Sequence, residues 1–255
     1  MSPIEALAIL GAGLAAGTIN TIVGSGSLIT FPTLLAFGYA PVVANVSNTV
    51  GLVPGSFSGV VGYRRELAGQ RARAVPLCLA ALAGGLTGAL LLLALPASAF
   101  ERIVPLLILL ACALIVVQPR LSRAVMARRV AAGRAGHHGG GPLLILGVFL
   151  NGIYGGYFGA AQGVILIAIL AILVDDDLQR LNGLKNLITV VVNGVAALLF
   201  VLVAPVAWPP ALVLAVGAIV GGQVGAHVGR RLPPLVLRSA IVVIGVTVAV
   251  RLLLG

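Results

Sequence analysis

The sequence predicts an all-α integral membrane protein made of two inverted repeats with broken or re-entrant helices. Three observations lead there. Of 255 residues, 60% are hydrophobic and 9% charged. A soluble domain is about 25% charged, so the bilayer is the solvent. The apolar runs are long, unalternating and rich in Leu, Ala and Val. Barrel strands alternate over about ten residues, and backbone in hydrocarbon must pair internally, so helices remain. Finally, glycine-interrupted apolar stretches at 17–48 and 152–185 occupy corresponding places in the two halves. Such a pair points to a transporter's binding site.

Taken in order, residues 4–23 read as the first membrane helix. No basic region precedes them and Glu5 is the one early charge, so a cleavable signal peptide is not expected. The run stops at Gly24-Ser25-Gly26-Ser27. A short piece follows at 28–37, broken by Pro32, with about half the roughly twenty residues of a full span. The third run, 42–61, carries Asn45, Ser47, Asn48, Thr49 and Pro54. A basic loop from Arg64 to Arg73 leads to cleaner spans at 74–95 and 103–117. The segment 120–141 is the long hydrophilic connection, with five arginines (Arg120, Arg123, Arg128, Arg129 and Arg134) and the pair His137 and His138. It suits either a plain linker or a short amphipathic helix over 121–130 on anionic lipid.

The second half repeats the plan. Residues 142–158 loosen into GGYFGAAQG, 164–174 form a second short piece, and Asp175, Asp176 and Asp177 precede the run at 181–203. Runs at 209–228 and 235–254 complete the chain. The expected division is therefore 1–118 as the first transmembrane repeat, 119–141 as a basic cytoplasmic linker, and 142–255 as the second repeat. An offset of 137 places Asn45 on Asn182, Ser56 on Asn193, and GGLTGA at 84–89 on GGQVGA at 221–226. An offset of 135 places Gly17 on Gly152 and Gly24 on Gly159. A nearly constant offset indicates duplication. The first half is basic after its third run. The second half is uncharged there and basic instead at Arg230, Arg231 and Arg238. Basic loops face the cytoplasm, so the halves should face opposite ways. With each short piece counted as a return leg, both termini lie outside; with re-entrant hairpins, full crossings are fewer.

Charge and motif content remove several function classes. The net charge of +10 comes from arginines in short connections, the positive-inside signature, so nucleic acid is not an expected partner. Cys78 and Cys112 sit in apolar runs without ligand spacing and read as inert buried thiols. No metal or cofactor is expected. No paired carboxylates or Ser/His/Asp set lie in the membrane region, so an enzyme is not expected, and no GxxxxGK[ST] motif suggests ATP drive.

The chemistry concentrates at the two interruptions. A half-helix N-terminus exposes N–H groups and carries positive partial charge that welcomes anions. Gly24, Ser25, Gly26 and Ser27 in the first half, and Tyr157, Gly159 and Gln162 in the second, are candidates to line a small-anion site. Asn45 and Asn48 follow the first short piece. Asn182, Lys185 and Asn186 follow the second at i, i+3 and i+4, one helix face. Lys185 is the sole lysine. It either complements an anion or snorkels beside the aspartates. The glycines at 84–88 and 221–225 read as close helix packing.

Four stretches, VGSGSLITFPTLLAFG, ANVSNTVG, GIYGGYFGAAQG and NGLKNLITVVVNG, resemble the TauE/SafE family along essentially the whole chain. In this chain the glycine clusters are thinned to GSGS and GAAQG. The resemblance implies small membrane proteins with two related halves, associated with sulfite export and organosulfur transport. The expectation is a multi-pass secondary transporter, an exporter of a small sulfur-containing anion, in the cell inner (plasma) membrane among lipid. A channel, or transport of a non-sulfur anion, stays open, as do the coupling ion (proton or sodium) and a homodimer.

Overall fold

A computed structural model describes residues 1–131, 141–228, 242–243, 245–250 and 252. Arg134, His137, His138, Arg230, Arg231 and Arg238, and most of the expected last run, lie outside them. Within the described residues all regular structure is helical: α1 (Pro3–Ile22), α2 (Ser27–Ala36), α3 (Pro41–Gly62), α4 (Arg71–Ala94), α5 (Ala97–Ala131), α6 (Pro142–Tyr157), α7 (Gln162–Leu173), α8 (Leu178–Val203) and α9 (Trp208–Val228). Five are long and apolar enough to cross a membrane: α1, α4, α5 over 97–117, α8 and α9 over 208–227. The helix α3 has the length, but its polar run from Asn45 to Thr49 keeps it out of that set. Those residues are buried in protein instead. The helix α5 continues through the first part of the segment expected as a linker.

Local sequence explains the ends. Ser2 and Glu5 close a reciprocal capping box on α1, with Pro3 in the first turn, satisfying N–H groups that have no partner within the helix. At the other end Gly24 takes φ +86°. The N–H groups of Val23 and Gly24 both turn back to the Ile19 carbonyl, the way an αL glycine ends a helix. The second half does the same 135 residues later. Phe158 and Gly159 N–H both donate to the Tyr154 carbonyl, and Gly159 has φ +76°.

Both short helices turn back rather than continue. Gly26 packs on the backbone of Ala16, and Tyr39, just past α2, donates to Glu5 Oε1 at 2.7 Å. Ten residues of α2 climb about 15 Å at 1.5 Å per residue, half of a ~30 Å hydrocarbon layer. This first face also holds the α8–α9 connection, where Ala207 N–H donates to Ser47 Oγ at 2.9 Å. The helix α7 returns to the opposite, second face. There Asp176 lines one cavity, of about 490 Å³, with Leu144 and Ile145 from the start of α6. On the second face Arg73 pairs with Asp176 at 2.8 Å, Arg180 with Asp176 at 2.9 Å, and Gln70 Nε2 reaches the Arg180 carbonyl.

The halves pack reciprocally. The helix α1 lies along α9 and α4 along α6; α3 packs on α9 and α8 on α4; α3 and α8 meet in the middle. A Cβ on Gly84 would lie 2.2 Å from the Phe149 carbonyl oxygen, and one on Gly88 would lie 2.0 Å from that of Ile153. In the other pair, Gly221 meets the Leu14 carbonyl at 2.1 Å and Gly225 that of Thr18 at 2.6 Å. These are the 84–88 and 221–225 glycines, and they do what close packing requires: small residues let membrane helices approach backbone to backbone. The same two offsets relate both contacts, consistent with the expected duplication. Large apolar side chains such as Leu79, Leu106 and Leu202 point outward, toward lipid.

Candidate functional site at the meeting of two broken helices

The two interruptions touch. A Cβ on Gly163 would lie 2.5 Å from the Gly24 α-carbon, and one on Gly24 only 2.4 Å from that of Gly163. Gly163 N–H donates to the Gly24 carbonyl at 3.1 Å. Because α2 runs from this point to the first face and α7 to the second, their N-termini meet and point at each other inside the protein. Two positive dipole ends are thus directed into one buried place.

Polar side chains collect around it. Ser25 is 1% exposed, Asn45 1% and Gln162 2%. Ser25 Oγ, Asn45 Oδ1, the Tyr157 hydroxyl and both polar atoms of Gln162 have no hydrogen-bond partner. Buried polar groups in native proteins are nearly always partnered, so this cluster is chemically unfinished. Gln162 lies over Gly155, where a Cβ would come within 2.4 Å of its carboxamide carbon. Gly159 and the αL residue Ala161 bend the chain that presents it.

Other candidates have found protein partners. Asn45 Nδ2 donates to the Tyr157 carbonyl at 3.0 Å, at the end of α6. Asn48 accepts from the Thr30 hydroxyl. Asn182, Lys185 and Asn186 gather at the end of α1: Asn182 Nδ2 reaches the Thr21 carbonyl at 3.3 Å, Asn186 Nδ2 at 3.2 Å, and Lys185 Nζ at 3.2 Å, with a second Lys185 bond to the Asn20 carbonyl at 3.1 Å. A cation and two amides sit where the helix carries negative partial charge. The third helix of each half thus caps the broken one of the other half. Gly26 N–H is held by Asn20 Oδ1 at 2.7 Å, and Ser27 is half-buried.

Four residues that matter here were not among the sequence candidates. Asn20 holds both Gly26 and Lys185. Thr30 binds Asn48, Tyr63 accepts from Asn182 Nδ2 at 2.9 Å, and the Tyr154 hydroxyl donates to the Ala160 carbonyl. For Asn20 a signal existed: an amide one turn before a helix-ending glycine is placed to catch the returning chain.

The family model "Sulfite exporter TauE/SafE" matches residues 9–252. The chain belongs to the TauE/SafE family. Its relatives include "Probable membrane transporter protein YfcA" of Escherichia coli K12, 25% identical over 99% of this chain and 91% of the relative. "Probable membrane transporter protein ORF9" of Sinorhizobium sp is 25% identical over 95% and 90%, and a "Probable membrane transporter protein" of Haemophilus influenzae 26% over 94% and 91%. No solved structure matches. Family and relatives alike are described as membrane transporters, not enzymes. This TauE/SafE chain is therefore a membrane transporter with a small-molecule substrate and a lipid surround.

Proposed function

We propose that the protein is a secondary transporter that exports a small sulfur-containing anion, such as sulfite, thiosulfate or a sulfonate, across the cell's inner (plasma) membrane. One observation carries this reading: two half-helix N-termini meet at Gly24 and Gly163 among buried, unpartnered Ser25, Asn45, Tyr157 and Gln162 atoms. Oriented dipoles plus convergent donors suit a compact oxyanion. Gly24, Ser25, Gly26, Ser27, Tyr157, Gly159 and Gln162 would form the site's wall. Asn45 and Asn48, and opposite them Asn182, Lys185 and Asn186, would hold the broken helices in place around it. Lys185 would add positive charge from one side.

The near-complete burial of Ser25, Asn45 and Gln162 fits an occluded stage of alternating access. The reciprocal packing of α1 with α9 and α4 with α6 is consistent with two inverted units that would rock about the site. The test is uptake of labelled sulfite, thiosulfate and sulfate into liposomes, comparing wild type with Ser25→Ala and Gln162→Ala. Saturable uptake of one anion, reduced about tenfold or more in either variant, is the expected result; one lost charge-assisted bond is worth roughly that. Uptake untouched by both variants would move the site elsewhere. Large unsaturable currents would make the protein a channel.

A further inference from the structure

We propose that Lys185 is a proton-binding site that couples anion movement to a proton, an inference resting on the transport reading above. Lys185 is 1% exposed in the middle of a bundle. Its Nζ touches two neutral acceptors, the carbonyls of Asn20 and Thr21, and among the described residues no carboxylate pairs with it. Charge without a counter-charge at membrane depth is costly and marks function. Lysine, unlike arginine, can shed its charge.

The surrounding ionisable groups leave this charge to the ligand. Tyr63 follows α3 and binds Asn182 and Gln179. Glu66 lies in the same connection, near Gly183. Arg71, Arg73 and Cys78 are on α4, and Asp175, Asp176, Asp177 and Arg180 surround the start of α8, where Asp176 is taken by Arg73 and Arg180. Glu5 is at the far end of α1, and Tyr154 and Tyr157 are on α6. The geometry also connects Lys185 to the anion site. Nζ binds the Asn20 backbone carbonyl while the Asn20 side chain holds Gly26 N–H, beside Ser25. Asn48 occupies the equivalent position in the first half at the 137 offset but binds Thr30 of α2, and the end of α6 is met by the neutral amide of Asn45, so one broken helix has a titratable cap and the other a neutral one.

In the cycle, the neutral amine takes one proton to become the ammonium, the anion binds, both cross together, and the amine releases its proton on the far side. No covalent bond to the anion forms. Each anion carries one proton, so a monovalent anion moves without net charge.

The experiment uses full-length protein in liposomes with a lumenal pH dye, potassium and valinomycin to clamp voltage, and thiosulfate as the probe. Thiosulfate keeps its charge between about pH 6 and pH 9, so pH dependence reports on the protein. In wild type a thiosulfate pulse should acidify the lumen, and the half-saturating concentration should rise about tenfold across the amine's titration. Lys185→Arg should bind with no pH dependence and move no protons. Lys185→Gln should bind weakly at every pH. Thiosulfate flux in wild type without lumenal acidification overturns the coupling alone and needs no variant to show it. Acidification that persists in Lys185→Arg overturns the assignment to Lys185. Absence of thiosulfate flux in wild type overturns both this proposal and the transport reading it rests on.

Discussion

At the residue scale the exacting position within the candidate site is Gly163. Any side chain there must displace the Gly24 backbone, because its Cβ would lie 2.5 Å from that α-carbon, and backbone yields little in a packed interior. Gly163→Ala should abolish anion uptake and destabilise the protein by about 1–3 kcal/mol, the usual cost of overpacking. Gly38 is the control. It has φ +85° but nothing within 4 Å of its Cβ position, so Gly38→Ala should cost about 1 kcal/mol of backbone strain and leave uptake near wild type. Thermal unfolding in detergent and liposome uptake check both. Equal loss of transport in the two variants would mean that general destabilisation, not the Gly24–Gly163 contact, is what stops transport. The positions of Gly24 and Gly159 were readable in advance because αL backbone selects glycine. Their spatial partners were not: Gly24 and Gly163 are 139 positions apart, and no local preference specifies such a pair.

At the scale of elements, the broken helices are stabilised by what caps them. The three donors on α8 that converge on the Thr21 carbonyl replace the water that would otherwise serve the end of α1. On the second face the start of α4 is tied to the start of α8 through Asp176. Burial is the largest influence on that carboxyl and pushes it up. The hydrogen bond from Arg73, the Asp177 N–H and the charges of Arg180 and Arg73 together outweigh it and hold Asp176 below its ordinary value. A depressed carboxyl contributes stability that is present above its unfolded value near 3.9 and is lost as pH falls through the lower folded value. Asp176→Asn should therefore melt lower than wild type at neutral pH, by no more than about 1 kcal/mol for a partly exposed pair. The gap should close as acid protonates Asp176. Parallel melting curves across that range would remove the ion pairs from the account. The i, i+3, i+4 spacing had already put Asn182, Lys185 and Asn186 on one face. It could not say that this face meets the end of α1, since that depends on how α8 packs within the bundle.

For the molecule as a whole, the contacts divide the connections between two faces. Gly38 is exposed on the face shared with Glu5, Tyr39 and Ala207. Gly69 is exposed on the face shared with Arg73, Asp176 and Arg180. Positive-inside reasoning predicts that the arginine-bearing face is the cytoplasmic one. In a variant with Cys78 and Cys112 replaced, Gly38→Cys should react in intact cells with a thiol reagent that does not cross membranes, and Gly69→Cys only after permeabilisation. The reverse pattern would invert the orientation and, with it, the meaning of export. What the sequence by itself determined was what local chemistry governs: hydrocarbon as solvent, helices as the only economical backbone, glycines where helices must stop, and the polar stripe on α8. What only the tertiary structure decided was which interruption faces which, that both short helices turn back, and that Lys185 sits on the carbonyls of α1. The physical reason is range. Helix formation and termination are settled within a few residues, whereas the site is assembled by packing between segments more than a hundred residues apart.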